Sequence, residues 1–213
     1  MNSILDFELK NLDSSHPYLL QRGFTEETIQ RFGLGFCSRG VMKDRIAIPI
    51  HDPQGCLLAY AGRLVDDQLI DAEHPKYLFP GPRERNGKRL EFHKSLVVYN
   101  LNRLEQRPLD HLIVVEGFPS VWWLSQHGHA NVVAVMGSTA SADQLRLIES
   151  SVTPAGTVWI LPDGDEAGTR CAQSLLALSS ERSVRWLKLD PGEQPTDLAG
   201  HELESLLPSP TAG

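Results

Sequence analysis

With 213 residues, 41% apolar and 22% charged, the chain has the makeup of a globular protein with room for one large domain or two modest ones. No apolar run nears the roughly 20 residues of a membrane span, and MNSILDFELK at the start has neither a basic region nor an apolar core, so a cytoplasmic protein with no membrane partner is expected. The net charge of −7 speaks against nucleic acid as a partner until it is divided: residues 1–108 carry 15 Lys and Arg against 14 Asp and Glu, and residues 109–213 carry 5 against 13.

In chain order, the first fifteen residues are polar and read as a loosely docked lead-in. HPYLLQRGFTEETIQRFGLGFC, from His16, predicts two short helices. Pro17 suits a first helical position, Gly23 ends the first helix, and Thr25 caps the second with Glu26 and Glu27 in its first turn. Ile29 and Phe32 then face a core. RIAIPI and CLLAYAGR, joined by the turn-forming residues 51–55, predict a β-hairpin with Arg45 and Arg63 at its opposite ends. Residues 66–93, with Pro75, Pro80, Gly81 and Pro82, read as an irregular surface excursion, and 94–104 as a short strand and helix. Within residues 76–107 eight basic side chains face three acidic ones, a local basic strip, although PGPRERNGKR alone reads as a solvated loop. The cysteines, Cys37, Cys56 and Cys171, stand singly, so neither a disulfide framework nor a zinc site is expected.

Pro108 marks the boundary between halves. Beyond it the spacing predicts strand 112–115, helix 119–127, strand 131–135, helix 142–150, strand 157–161, helix 166–179 and strand 184–189. Strands alternating with helices are βαβ units, and Ser141 with Gln144 gives a capping box that starts the second helix. PSPTAG at the end reads as disordered. The expected fold class is α/β: a roughly four-stranded, mostly parallel sheet flanked by helices over 109–200, preceded by a mixed α+β basic subdomain over 1–108 and followed by a tail over 201–213.

HLIVVEGF places Glu116, and TVWILPDGDEAG places Asp163 and Asp165, where apolar runs stop. Open α/β sheets keep their sites at such strand ends. Three carboxylates converging there, with Gly117, Gly164 and Gly168 letting backbone or ligand come close, repel one another unless a cation sits among them, and Mg²⁺ is the simplest occupant. The plainer alternative for these acids is helix capping or a turn. Trp122 and Trp123 read as core or interface, and His127 and His129 as structural or exposed.

LIVVEGF, AVMGSTAS and WILPDGDEAG, in this order on consecutive strand ends, resemble the Toprim domain, the metal-binding module shared by DnaG-type bacterial primases, topoisomerases and some nucleases. YLLQRGFTEETIQRFGLGF, DRIAIPIHDPQGCLLAYAGR, PKYL and EFHKSLVVYNL resemble the N-terminal part of the DnaG primase catalytic core, so the likeness covers about residues 16–200. It implies a stand-alone primase core, a nucleotidyltransferase making short primers on single-stranded DNA or RNA, with two halves flanking a cleft for template and nucleoside triphosphates. It implies Glu116, Asp163 and Asp165 as catalytic and metal-binding residues, Asp197 as a further ligand, and Mg²⁺ or Mn²⁺ rather than zinc. Arg45, Arg63, Lys76, Tyr77 and Lys94 become nucleotide or template contacts, with Tyr77 stacking on a base, and Arg83, Arg85, Lys88 and Arg89 contacts to phosphate. The family's zinc-binding and helicase-binding domains have no counterpart in this sequence, which implies recruitment by a helicase or other partner. Three positions depart from the family: Ser120 stands where an aspartate follows the glutamate by four, Gln194 stands first where the family reads roughly Asp-Pro-x-Asp-Leu, and Phe79 replaces an asparagine. A metal-dependent nuclease, or an impaired subunit that binds nucleic acid or nucleotide in a larger complex, are the alternatives.

Overall fold

In the computed structural model, which describes residues 2–85, 87–104 and 107–209, the chain divides at His93 into two units, Met1–His93 and Lys94–Gly213. In the first, α1 (Pro17–Gln21) begins with Pro17 behind a His16 cap. Helix α2 (Glu26–Phe32) begins behind Thr25, whose hydroxyl accepts the Thr28 N–H, and ends at Gly33 in the left-handed region. Ile29 and Phe32 are buried, as their spacing requires.

Strands β1 (Gly35–Cys37), β2 (Arg45–His51), β3 (Leu57–Leu64) and β4 (Tyr77–Leu78) pair antiparallel in that order. The β2–β3 hairpin is the predicted one, and its turn is held by Asp52 Oδ1, which accepts the Gln54 and Cys56 N–H groups. Its register sets Arg45 opposite Leu64 and Ile46 opposite Arg63. The two arginines expected at opposite ends are therefore neighbours at the open end, because antiparallel pairing brings the first residue of one strand beside the last of the other. The lead-in is docked more firmly than expected: Leu5 is buried with Cys37, Met42, Ala47 and Tyr60, and its N–H donates to Leu57 O. The excursion over 66–93 contains a second hairpin, β5 (Arg83–Arg85) with β6 (Lys88–Leu90). The side chains of Arg83, Arg85, Lys88 and Arg89, expected at phosphate, lie outside the described set.

The second unit runs β7 (Leu109–Val115), α3 (Phe118–Gln126), β8 (Val132–Ala134), α4 (Ala142–Glu149), β9 (Val152–Ile160), α5 (Glu166–Leu175), β10 (Ser183–Trp186) and α6 (Gly200–Leu206). Its four strands are parallel throughout, in the order β10-β9-β7-β8. The fold is thus α/β, a parallel four-stranded sheet flanked by helices and preceded by an antiparallel one. Leu112, Val114, Val158 and Ile160 pack against Ile148, Cys171, Ala172 and Leu175, all fully buried. Each large aliphatic side chain there contributes about 1.5–3 kcal/mol relative to exposure.

The segment 94–104 holds two 3₁₀ turns, Lys94–Leu96 and Leu101–Arg103, rather than the expected strand and helix. Between them Tyr99 exchanges backbone hydrogen bonds with Ala134. Gln144, besides closing the predicted capping box with Ser141, donates from Nε2 to Val97 O and Val135 O at 2.8 Å each. These bonds bind 94–104 to the second unit, so the division falls ahead of Pro108. The expected tail begins as a helix, with Leu203 of α6 buried, and residues 210–213 lie outside the described ones. Among the described residues no helix is long and apolar enough to cross a membrane.

Candidate metal and phosphate site

Strands β7 and β9 are parallel neighbours, with Val114 opposite Ile160. The residue after β7 is Glu116, and the turn after β9 carries Asp163, so two half-buried carboxylates leave the same sheet edge from adjacent strands. Near them lies Cys171 of α5, fully buried. Burial, and after it the negative charges of Glu116 and Asp163, push its thiol up to about 12. Both carboxylates are therefore within electrostatic reach of one sulfur, which stays protonated and inert.

The glycines of the second motif are there for space. The Gly164 N–H donates to Glu193 O at 2.8 Å, and Gly164 O accepts the Gly192 N–H at 2.8 Å, clamping the 190–193 loop to the turn. A Cβ on Gly164 would lie 2.1 Å from Asp190 O, and one on Gly168 would lie 1.9 Å from Asp163 O. Gly117 differs: its nearest neighbour would be 3.7 Å away, which leaves ordinary room beside Glu116.

Asp165 is exposed and caps α5, its Oδ1 accepting the Gly168 N–H at 2.7 Å. Asp197 is exposed and closes its own turn, its Oδ2 accepting the Gln194 N–H at 2.7 Å. Among the described residues no three His, Cys, Asp or Glu side chains stand close enough to hold a metal ion by themselves. Of the four acids, Glu116 and Asp163 leave the same sheet edge, while Asp165 and Asp197 each set one carboxylate oxygen on a backbone N–H. The pair Glu116 and Asp163 suits a hard divalent cation. Mg²⁺ keeps several waters and is usually bound through one or two carboxylates together with substrate phosphates, and Glu116 Oε2 is shielded from solvent, where a nearby cation counts most.

Helix α3 carries the departure at Ser120 on a buried position. Both tryptophans are structural: Trp122 Nε1 donates to the Tyr99 hydroxyl and Trp123 Nε1 to Leu198 O, each at 2.9 Å. His129 is buried, which together with the charge of His127 lowers its pKa, against an opposing effect from Glu204.

In the first unit, Arg45 is only 5% exposed and Arg63 4%. Arg45 Nη1 donates to Pro75 O at 2.7 Å and Gly62 O at 3.2 Å, and its chain runs across Gly62, where a Cβ would meet Arg45 Cδ at 2.8 Å. Its role as seen is to staple the strand to the segment before β4. The Arg63 guanidinium lies 5.6 Å from the ring centroids of both Tyr18 and Tyr77 and pairs with Asp67 at 2.7 Å. Arg22 pairs with the same carboxylate at 2.9 Å. Burial, partly offset by Arg63, pushes the Tyr77 phenol well above its ordinary range. Lys76 is exposed, within electrostatic reach of Asp67. The structure thus gathers Arg63, Lys76 and Tyr77 and adds Tyr18 and Arg22, which sequence reasoning missed because they lie on a helix some 40 residues earlier. Phe79 stacks on Phe92 at 6.3 Å. Lys94, in the second unit, is exposed, and its Nζ donates to Met136 O at 3.0 Å.

A cavity of about 540 Å³ opens beside Asp163, lined also by Asp165, Glu166, Arg170, Trp186 and Lys188. The last three gave no sequence signal, since each reads as an ordinary residue of a helix or edge strand.

The Toprim domain family matches residues 110–188. The chain is 31% identical to the DNA primase of Pseudomonas putida, over 88% of its own length and 34% of that protein's. To the DNA primase of Escherichia coli it is 27% identical, over 89% of its length and 37% of that protein's. The chain therefore spans about a third of the length of these curated relatives. Among solved structures it is similar to a DnaG primase catalytic domain bound to single-stranded DNA, at 27% identity and a TM-score of 0.72, covering 90% of this chain and 70% of that one. A DNA primase domain from Pseudomonas aeruginosa is similar at 29% identity and a TM-score of 0.71, covering 89% and 68%.

Proposed function

The chain belongs to the DnaG-type primase family as a homologue of its catalytic core, and on that premise we propose that it is a metal-dependent nucleotidyltransferase that joins nucleoside triphosphates into short primers on single-stranded DNA. The observation that carries this reading is the pair Glu116 and Asp163, leaving adjacent parallel strands at one sheet edge. Glu116 and Asp163 hold a divalent ion, Mg²⁺ or Mn²⁺. That ion, when bound, supplies the positive charge that neutralises phosphate oxygens. In this reading Glu116 serves as a metal ligand or as the general base for the attacking 3′ hydroxyl. Asp165 fixes the first turn of α5 and so the turn bearing Asp163, and Asp197 fixes the turn after Gln194.

In this reading residues 1–108 serve template and triphosphate, and 109–200 the metal. Lys76, exposed beside the Arg63–Tyr77 pair, and Lys94 of the second unit meet backbone phosphates, while Arg45 and Arg63 hold the surface that presents Lys76. The protein acts in the cytoplasm, recruited by a helicase or other partner.

A primer-synthesis assay tests this. Purified protein, single-stranded DNA and ribo- or deoxyribonucleoside triphosphates are expected to give short oligonucleotides with Mg²⁺ or Mn²⁺. Glu116→Gln and Asp163→Asn are each expected to lower the rate at least about 100-fold, the scale of losing a transition-state electrostatic contact. No product under either metal, across varied templates, refutes the proposal. Cleavage of labelled DNA without triphosphates would mark a nuclease instead.

A further inference from the structure

We infer that an apolar cavity within the first unit is a binding site for a small amphipathic carboxylate, a molecule with a hydrocarbon body and one anionic end. The site goes beyond the nucleotidyltransferase reading and shares no lining residue with the cavity beside Asp163. Its space of about 430 Å³ falls in the range of about 300–1,000 Å³ usual for small-molecule sites. Four stretches wall it: the lead-in with Phe7 and Leu9, the turn after β1 with Val41 and Met42, β3 with Leu58, and the end of the 66–93 excursion with Phe92. Leu58 is 6% exposed and Met42 7%, so the space reaches the core, while Val41 at 82% and Phe7 at 47% leave apolar surface at its mouth. Water suits such walls poorly, because an ordered water needs two to four polar partners. Enclosure by four stretches fits a molecule that enters whole, where a flat face would fit another protein.

The polar groups of the lining decide the other end of the ligand. The Cys37 thiol donates to Arg39 O at 3.1 Å, Glu91 already has a partner of its own, and Ser3 is exposed. The Tyr60 hydroxyl accepts the Leu9 N–H at 3.2 Å, and its own proton has no acceptor among the described residues. Burial, against the Leu9 hydrogen bond, holds that phenol above its ordinary range, so the proton stays. The Arg39 guanidinium is exposed and makes no ion pair or side-chain hydrogen bond among the described residues. Two donors, one of them cationic, are thus left, and they call for an acceptor that bears negative charge. A carboxylate on a hydrocarbon chain satisfies walls and donors together.

The test uses the full chain with decanoate as probe, read by calorimetry and by displacement of the fluorescent dye anilinonaphthalene sulfonate. Saturable binding of one decanoate per chain is expected, and each methylene removed, through nonanoate to octanoate, should weaken it about fourfold, the equivalent of about 0.8 kcal/mol. Decyltrimethylammonium, with the same chain and the opposite charge, should bind at least about tenfold more weakly. Arg39→Gln should weaken decanoate about threefold or more, the upper scale of an exposed ion pair, and Arg39→Lys should keep most of the affinity. Val41→Asp, which sets a like charge at the mouth, should weaken it too, and Leu69→Asp, at an exposed apolar residue outside the lining, should leave it unchanged. Thermal melting checks that these surface variants stay folded. No saturable decanoate binding by the parent, equal binding of the ammonium, or decanoate binding that ignores both Arg39 and Val41 overturns the assignment. So does an equal loss in Leu69→Asp and Val41→Asp. Self-association of the parent that Val41→Asp abolishes, without decanoate binding, would give the mouth to a second copy of the chain instead.

Discussion

Replacing Gly168 by alanine should destabilise the protein, against what helix propensity alone expects. Gly168 sits in the first turn of α5, and glycine in a helix is ordinarily about 1 kcal/mol worse than alanine. The added Cβ would lie 1.9 Å from Asp163 O and 2.8 Å from Asp163 C, about 1.5 Å short of the 3.4 Å at which ordinary contact begins. Backbone cannot swing aside as a side-chain end can, so the turn must move. Overpacking of that kind costs about 1–3 kcal/mol, and if the Asp165 cap to the Gly168 N–H is lost a further ~1 kcal/mol goes with it. With the roughly 1 kcal/mol of helix propensity regained, the net expectation is a loss of about 1–3 kcal/mol, read as a lower urea midpoint at unchanged slope. The displaced carbonyl belongs to Asp163 itself, and a misplacement of about 1 Å can cost on the order of 100-fold in rate. Gly117→Ala is the control: with its nearest neighbour at 3.7 Å it should cost under about 1 kcal/mol, the difference between glycine and alanine at a helix cap. If Gly168→Ala is as stable as the parent, or if both substitutions cost the same, the close-approach argument for the motif is wrong.

Tyr99→Phe leaves the buried Trp122 Nε1–H without its hydroxyl acceptor and should cost about 1–3 kcal/mol in urea unfolding. Gln144→Leu removes the Nε2 bonds to Val97 O and Val135 O and half of the capping box, and should cost at least about 2 kcal/mol by the same measurement. His129 has a folded pKa depressed below its ordinary 6.5, chiefly by burial, so the unfolded chain binds the extra proton first as pH falls. Its contribution is complete above about 6.5 and is lost as pH drops below that value. The fall in urea midpoint between pH 7.5 and 5.5 should therefore shrink in His129→Leu, and an unchanged fall would remove His129 as its source.

The second unit was legible because its signals are local. Leu112 to Val115 and Val158 to Leu161 are short β-branched runs ended by turn chemistry, and Ser141 with Gln144 announces a helix within four residues. The start of β9 was not legible: Thr153 to Gly156 look like loop, and only a bulge against β7 makes them strand. The site divided the same way. The strand-end positions of Glu116 and Asp163 follow from the apolar pattern, but a short-range sequence reading does not show that Asp165 and Asp197 each set one carboxylate oxygen on a backbone N–H. Arg45 shows the limit most plainly. A positive charge at the head of a strand reads alike whether it faces solvent or is buried, and what decides it is the carbonyl of Pro75, 30 residues away.

The bond from Trp123 to Leu198 O spans 75 residues, and it anchors the helix that begins just after Glu116. On a ribosome adding about 5–20 residues per second, Trp123 waits on the order of 4–15 seconds for that partner. Strands β9 and β10 must also be made in the interval, since both precede Leu198. The first carboxylate to be synthesised is thus among the last to have its surroundings completed, and a nascent chain stalled before Leu198 carries both acids while α3 still lacks its anchor.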